Sequence, residues 1–328
     1  MSIFTFKNIN IAGMSAVIPE NCFVNDQNNI IYQSDKLQTA SDLGYLAVND
    51  ILSKNNFDVN DVGVLIFCTC TPDYPIPSTA FVLHNRLNLS QDCIVYDVNI
   101  AESGFVYGLQ IACSLLACIN KKYALLITAD TMSKLNSPDL SYSDVGSAIL
   151  LEKRQTNSLI KTQCFASGAH FMNEVFPVGA YRHQKINKKL KDANSKIYYN
   201  TQVYDSFLSA ELKKTILNWL ESKIYDYDFF IFRENNYNFI DNLPYEIHIP
   251  KEKILSSFSY FSDSNVCAIP LTIAHNKQKL IKDDLRFISI SYGAGITWGI
   301  TDFTISKESI FSIVRSNEFY SDGCVELI

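Results

Sequence analysis

An α/β fold made of two halves of similar order is what this sequence predicts, and three observations predict it. Apolar runs of strand length alternate with helical patterns along most of the chain. Several of those runs are apolar without interruption, the pattern of strands covered on both faces, which argues for parallel pairing beneath flanking helices. A polar, turn-like stretch, EKRQTNS at 152–158, divides the chain near its middle. At roughly 150 residues per domain, the 328 residues make two domain-sized units, or one large unit of two related halves. The expected halves are residues 1–155 and 156–328.

Taken in order, ASDLGYLAVNDIL (40–52) predicts a helix and VLIFCTCT (64–71) a buried strand. STAFVLHNRLNL (78–89) carries apolar residues at helical spacing, CIVYDVN (93–99) is a strand, and SGFVYGLQIACSLLACI (103–119) is a nearly all-apolar helix. YALLITAD (123–130) and SAILLEK (147–153) close the first half as strands. In the second half LIKTQCFASGAH (159–170) reads as extended. FLSAELKKTILNWLESK (207–223) then puts Phe207, Leu208, Leu212, Ile216, Leu217 and Leu220 on one helical stripe. YDFFIFREN (227–235) and LRFISISYGAGITWGITDFTI (285–305) are strand-like, with the helix VCAIPLTIAHNKQK (266–279) between them. The lysine- and asparagine-rich segment from Arg182 to Asn200 reads as a surface excursion.

Composition excludes several classes of function. Apolar residues are 47% and charged residues 19%, which excludes disorder and fibrous repeats. The net charge of −6 comes without a long basic run, so nucleic acid has no electrostatic footprint to bind. Nine cysteines, an odd number mostly inside apolar runs, look like reduced buried thiols of a cytoplasmic protein. Cys68 and Cys70 lack a second Cys/His pair at zinc spacing, so no metal site is expected, and no cofactor either. The N-terminus has no signal-peptide pattern, and no membrane-spanning run of about 18 apolar residues stands out.

Three segments carry a resemblance: CTCTPDYPIPSTAFVLHNRLNL (68–89), VYDVNIAESGFVYGLQIA (95–112) and ISYGAGITWGITDF (290–303). With GMSAVIPEN (13–21) and DSNVCAIPLTIA (263–274), they are similar to the ketoacyl-acyl-carrier-protein synthase III family, a branch of the thiolase superfamily. The resemblance implies a five-layered α-β-α-β-α fold of two pseudo-equivalent halves. It also implies a dimer, an acyl-carrier-protein substrate and a reactive centre between the halves.

Condensation in that family needs a cysteine at a buried helix start, where helix N–H groups stabilise a thiolate, and a histidine and an asparagine that stabilise developing charge. The family's A-C-S-G-F is here Ala101-Glu102-Ser103-Gly104-Phe105, so the nucleophile position holds Glu102. Its P-H-Q-A-N corresponds to Phe232-Arg233-Glu234-Asn235-Asn236, which puts Arg233 at the histidine position. Its G-N-T-S-A-A-S-I-P corresponds to residues 262–270, which puts Asp263 at the asparagine position. The family's glycine turn reads Gly293-Ala294-Gly295, so Ala294 still offers an N–H to an oxyanion. Phe105 matches a residue that reaches the partner's tunnel, and His170 falls in the loop that lines the acyl tunnel. The W-x-x-x-R-T-G-I segment that packs on the adenine of coenzyme A has no counterpart between residues 22 and 38.

Three functions remain open at this point. The chain is a non-condensing partner of an active synthase in fatty-acid- or polyketide-like metabolism, as a homodimer or heterodimer, with Glu102, Arg233 and Asp263 as a salt-bridge plug. Alternatively it is an acyltransferase that uses those three residues on a carrier-bound thioester. The third possibility is a carrier or small-ligand binding module without turnover. A closed, fully paired pocket around Glu102 argues against chemistry, and an open one argues for it.

Overall fold

The computed structural model describes residues 2–25, 28–135, 141–155, 158–177, 197–221, 223–234, 242 and 246–322. Residues 182–196, most of the expected surface excursion, and Cys324 lie outside the described residues. The strands are β1 (Phe4–Lys7), β2 (Ile9–Ile18), β3 (Cys22–Val24), β4 (Ile30–Tyr32), β5 (Val62–Cys68), β6 (Ile94–Val98), β7 (Tyr123–Asp130) and β8 (Val145–Lys153). They continue as β9 (Leu159–Ala166), β10 (Glu174–Val175), β11 (Tyr198–Tyr199), β12 (Phe229–Phe232), β13 (Ile254–Leu255), β14 (Asp284–Gly293), β15 (Thr297–Ser306) and β16 (Val314–Arg315). The helices used below are α1 (Ala40–Lys54), α2 (Thr79–Arg86), α3 (Gly104–Cys118), α4 (Thr201–Phe207), α5 (Lys213–Leu220) and Ala268–His275.

The strand pairing repeats itself. In the first half β6, β5 and β7 run parallel, and β8 and then β2 follow antiparallel. In the second half β13, β12 and β14 run parallel, and β15 and then β9 follow antiparallel. The expectation of parallel strands is therefore corrected for β8, β2, β15 and β9. For β14 and β15 the physical reason is connection length: residues 294–296 are far too few for the crossover that a parallel return requires. The run read as one extended segment at 285–305 is two strands that turn at residues 294–296.

Among the described residues three hydrophobic clusters hold the five layers together. α1 and α2 cover one face of the first sheet half with Leu43, Val48, Ile51 and Leu83. α3 and Ala268–His275 fill the middle, where Phe105, Leu109, Ile269 and Leu271 pack with strands of both halves. α4 and α5 cover the outer face of the second half through Phe207, Leu212, Ile216 and Leu220. Leu217, expected on that stripe, is 45% exposed, because it sits about 100° around the helix from Ile216. A π-helical turn, Leu208–Leu212, joins α4 to α5. The helix also starts earlier than expected, where the Asn200 side chain caps the N–H of Val203. The segment Gly168–Asn173 is a helical turn rather than extended.

Local chemistry anchors the ends of the first-half helices. The Asp42 carboxylate accepts from the Thr39 N–H at 2.7 Å, the return half of a capping box on α1. Asp97 on β6 accepts from the N–H groups of Thr79 and Ala80, both at 2.7 Å, which ties the start of α2 to the sheet edge. Contrary to the expectation of no such run, residues 101–118 are long and apolar enough to cross a membrane by length and composition. Here the apolarity is spent inside the fold, as the middle layer.

Candidate active site

Glu102 sits at the entrance to α3. Ala101 has a left-handed φ of 43°, a conformation costly for a residue with a Cβ, and it turns the chain sharply before the short turn Ala101–Ser103. Gly104 follows at a place where a Cβ would lie 2.5 Å from Val266. Arg233 follows directly on β12, held by its N–H to the Ile290 carbonyl at 2.9 Å. Asp263 pairs with the 141–143 segment: the Ser143 N–H donates to its carbonyl at 2.8 Å. Three remote pieces of chain thus converge.

One guanidinium nitrogen serves both acids. Arg233 Nη2 donates to Glu102 Oε1 at 3.1 Å and to Asp263 Oδ2 at 2.6 Å. Glu102 Oε2 accepts the Ala294 N–H at 3.1 Å, so its carboxylate spans from the guanidinium to the glycine turn. The approach there is so close that a Cβ on Gly293 would meet Glu102 Oε2 at 2.1 Å. Asp263 Oδ1 accepts the N–H of Asn265 at 2.8 Å. Arg233 is fully buried, Glu102 is 3% exposed and Asp263 6%. Nε and Nη1 of Arg233 have no hydrogen-bond partner among the described residues, although the Tyr292 ring lies 5.7 Å from the guanidinium carbon.

A third acid belongs to the cluster. Glu174 on β10 accepts from the Tyr204 hydroxyl at 2.6 Å, and its carboxyl lies within hydrogen-bond reach of Glu102. Burial, and then repulsion from Glu102, raise the Glu174 carboxyl well above the usual range. Burial also pushes Asp263 up to about 6, against the opposing pull of Arg233. Burial alone would lower the Arg233 pKa, but Asp263 and Glu102 outweigh it and hold the guanidinium charged. No spacing rule marks Glu174; only its burial beside Glu102 reveals it. Asn265 was also missed, and its left-handed φ of 48° directs the side-chain Nδ2 to Cys70 Sγ at 3.3 Å.

The remaining candidates are placed as follows. Phe105 is fully buried in its own chain, with its ring 6.3 Å from Phe303, so the expected reach into a partner's tunnel is corrected: it is a core residue. His170 is exposed and pairs with the Ser167 hydroxyl at 2.9 Å, with no contact to the Glu102 cluster. Cys267 donates to the carbonyls of Thr128 and Val145, a packing role. Among the described residues no group of three or more His, Cys, Asp or Glu side chains is arranged to hold a metal ion.

The description 3-oxoacyl-[acyl-carrier-protein] synthase III matches residues 96–168, and that family's C-terminal description matches residues 220–305. Over these two segments the chain is similar to the β-ketoacyl-acyl-carrier-protein synthase III family. A putative 3-oxoacyl-[acyl-carrier-protein] synthase 3 of Campylobacter jejuni is 29% identical over 290 residues, covering 83% of this chain and 80% of that protein. The β-ketoacyl-[acyl-carrier-protein] synthase III of Clostridium botulinum is 25% identical over 322 residues, 89% of this chain and 97% of its own. Among solved structures, a 3-oxoacyl-(acyl-carrier protein) synthase from Burkholderia xenovorans superposes with a TM-score of 0.88 at 22% identity, covering 96% of this chain and 99% of that one. The five layers are thus those of the family's thiolase-like fold.

Proposed function

We propose that this chain is a non-condensing member of the family that acts as the partner subunit of an active synthase in fatty-acid- or polyketide-like acyl metabolism. The observation that carries this reading is the span of Glu102 between the Ala294 N–H and Arg233. Oxyanion stabilisation needs that N–H free for a thioester oxygen, and here a carboxylate of the same chain already takes it. A carboxylate is a poor substitute for a thiolate, and an arginine cannot shuttle protons as histidine does. Cys70, whose thiol feels both Asp130 and Glu102, is pushed well above the ordinary thiol range, first by burial, and is no replacement nucleophile.

Pairing with a second subunit is supported by the free edge of β6, which bonds only to β5 among the described residues. Tyr96 on that strand is 53% exposed, and Ile76 and Phe81, around the start of α2, are 82% and 53% exposed. An apolar open edge of this kind is a surface made to be covered. The eight described cysteines are all free thiols, which supports a cytoplasmic setting.

A second reading, acyl transfer assisted by Glu102, Arg233 and Asp263, is favoured by one observation. The Nε and Nη1 donors of Arg233 are buried without a partner among the described residues, a fork of the kind that receives a carboxylate. Co-expression with a Cys-His-Asn synthase of the same genome, followed by native mass spectrometry and an acyl-carrier thioester assay, separates the two. The expected result is a one-to-one complex whose condensation survives Glu102→Gln in this chain and stops when the partner's cysteine is replaced. Thioester consumption by this chain alone, abolished by Glu102→Gln, would transfer the conclusion to the second reading. Glu102→Cys by itself is expected to yield no ketoacyl product, because Arg233 cannot shuttle the proton that a histidine would at that position.

A further inference from the structure

α5 does not seal the sheet face beneath it. Between that helix and strands β9, β14 and β15 lies a cavity of about 570 Å³, which none of Glu102, Glu174, Arg233 or Asp263 lines. That volume is typical of small-molecule sites. On the strand side it is lined by Phe165 and Trp298, whose rings stack 5.1 Å apart at an interplanar angle of 6°. Trp219 lines it from the helix side, so both tryptophans of the chain border one cavity.

Gln163 is the polar group this cavity leaves unused. It lines the wall from β9 and is only 7% exposed, and its side-chain amide bonds to no other described residue. A carboxamide in that state offers a donor and an acceptor side by side, and is satisfied by a ligand edge that presents the complement. The charged groups of the lining are balanced, four basic against four acidic. Arg286 is already committed to Asp302 through two bonds, Nε to Oδ1 at 3.0 Å and Nη2 to Oδ2 at 2.8 Å, and Lys161 lies 3.9 Å from the same carboxylate. No unpaired excess of either sign is left to recognise an ion.

We infer that this cavity binds a neutral, planar nitrogen heterocycle of nucleoside size, whose adjacent donor and acceptor are read by the Gln163 amide while the aromatic walls take its ring. An adenine edge has that complement, and glutamine reads it through two bonds. Aromatic side chains accept the ring faces of such ligands by stacking.

The test is a titration of the intact chain with adenosine, followed by tryptophan fluorescence and by calorimetry. Saturable binding is expected, with a change in indole emission because both tryptophans line the site. Gln163→Leu should weaken it about tenfold or more at unchanged circular dichroism and melting temperature. On the wild-type chain, N6,N6-dimethyladenosine, which lacks the exocyclic donor, should lose a similar factor without any change of protein. Absence of saturable adenosine binding overturns the inference, and so does equal affinity of the wild type for the two nucleosides.

Discussion

Arg233 decides whether the buried acids are tolerable. Three carboxyl groups face one guanidinium, and two of them share a single nitrogen. Removing one partner of a buried charge set is costly because the others stay desolvated. Arg233→Met should therefore lower stability by about 3–5 kcal/mol in urea unfolding at neutral pH; a loss below about 1 kcal/mol would mean the guanidinium does not compensate these acids. Asp130 makes the opposite kind of case. Its Oδ1 accepts from Thr69 Oγ1 at 2.9 Å, from the Cys70 N–H at 2.8 Å, and from both the N–H and the hydroxyl of Thr71. Burial still outweighs these bonds and pushes its carboxyl from 3.8 up to about 6. The folded state thus holds this proton more tightly than the unfolded one. The stabilisation is complete below the unfolded value and is lost as pH rises through about 6. Asp130→Asn keeps the Oδ1 acceptor and removes the titration. The variant should gain about 3 kcal/mol relative to wild type between about pH 4 and pH 7, measured by urea unfolding across pH. A pH-independent difference between the two proteins would contradict this.

At the level of elements, the local signals were strong where periodicity was unambiguous. The strand Tyr123–Asp130 has the bounds its apolar run suggested, and α3 starts within one residue of its expected position. Pairing direction was not legible, because an apolar run covered on both faces looks the same whether its neighbour runs with it or against it. The split of the 285–305 run into β14 and β15 depends on the Gly293–Gly295 turn, which Glu102 packs against from another part of the chain. The open edge of β6 carries its own prediction. Tyr96→Lys places a charge in the middle of that edge, which should shift the protein toward monomer in sedimentation velocity while leaving its helix content unchanged. An unaltered sedimentation coefficient, or a wild type already monomeric at the same concentration, would remove β6 as the interface.

On the scale of the whole molecule, the proposed division at 155/156 falls between β8 and β9, yet the halves hold each other's margins. β1 of the first half pairs with β9 of the second, and β16 from the far end of the chain pairs with β2. Helix Ala268–His275 fills the same core as α3, so the middle layer has one helix from each half. What the sequence by itself determined was the alternation of strands and helices, the resemblance to the synthase III family, and the presence of Glu102, Arg233 and Asp263 within the matched residues 96–168 and 220–305. Those follow from local period and motif spacing, which a linear chain records. What only the tertiary structure decided was that Glu102 takes the Ala294 N–H, that Asp263 and Glu102 share one arginine nitrogen, and that Glu174 is buried beside them. Such facts arise from desolvation and from contacts between residues far apart in the chain, and neither exists until the halves have closed on each other.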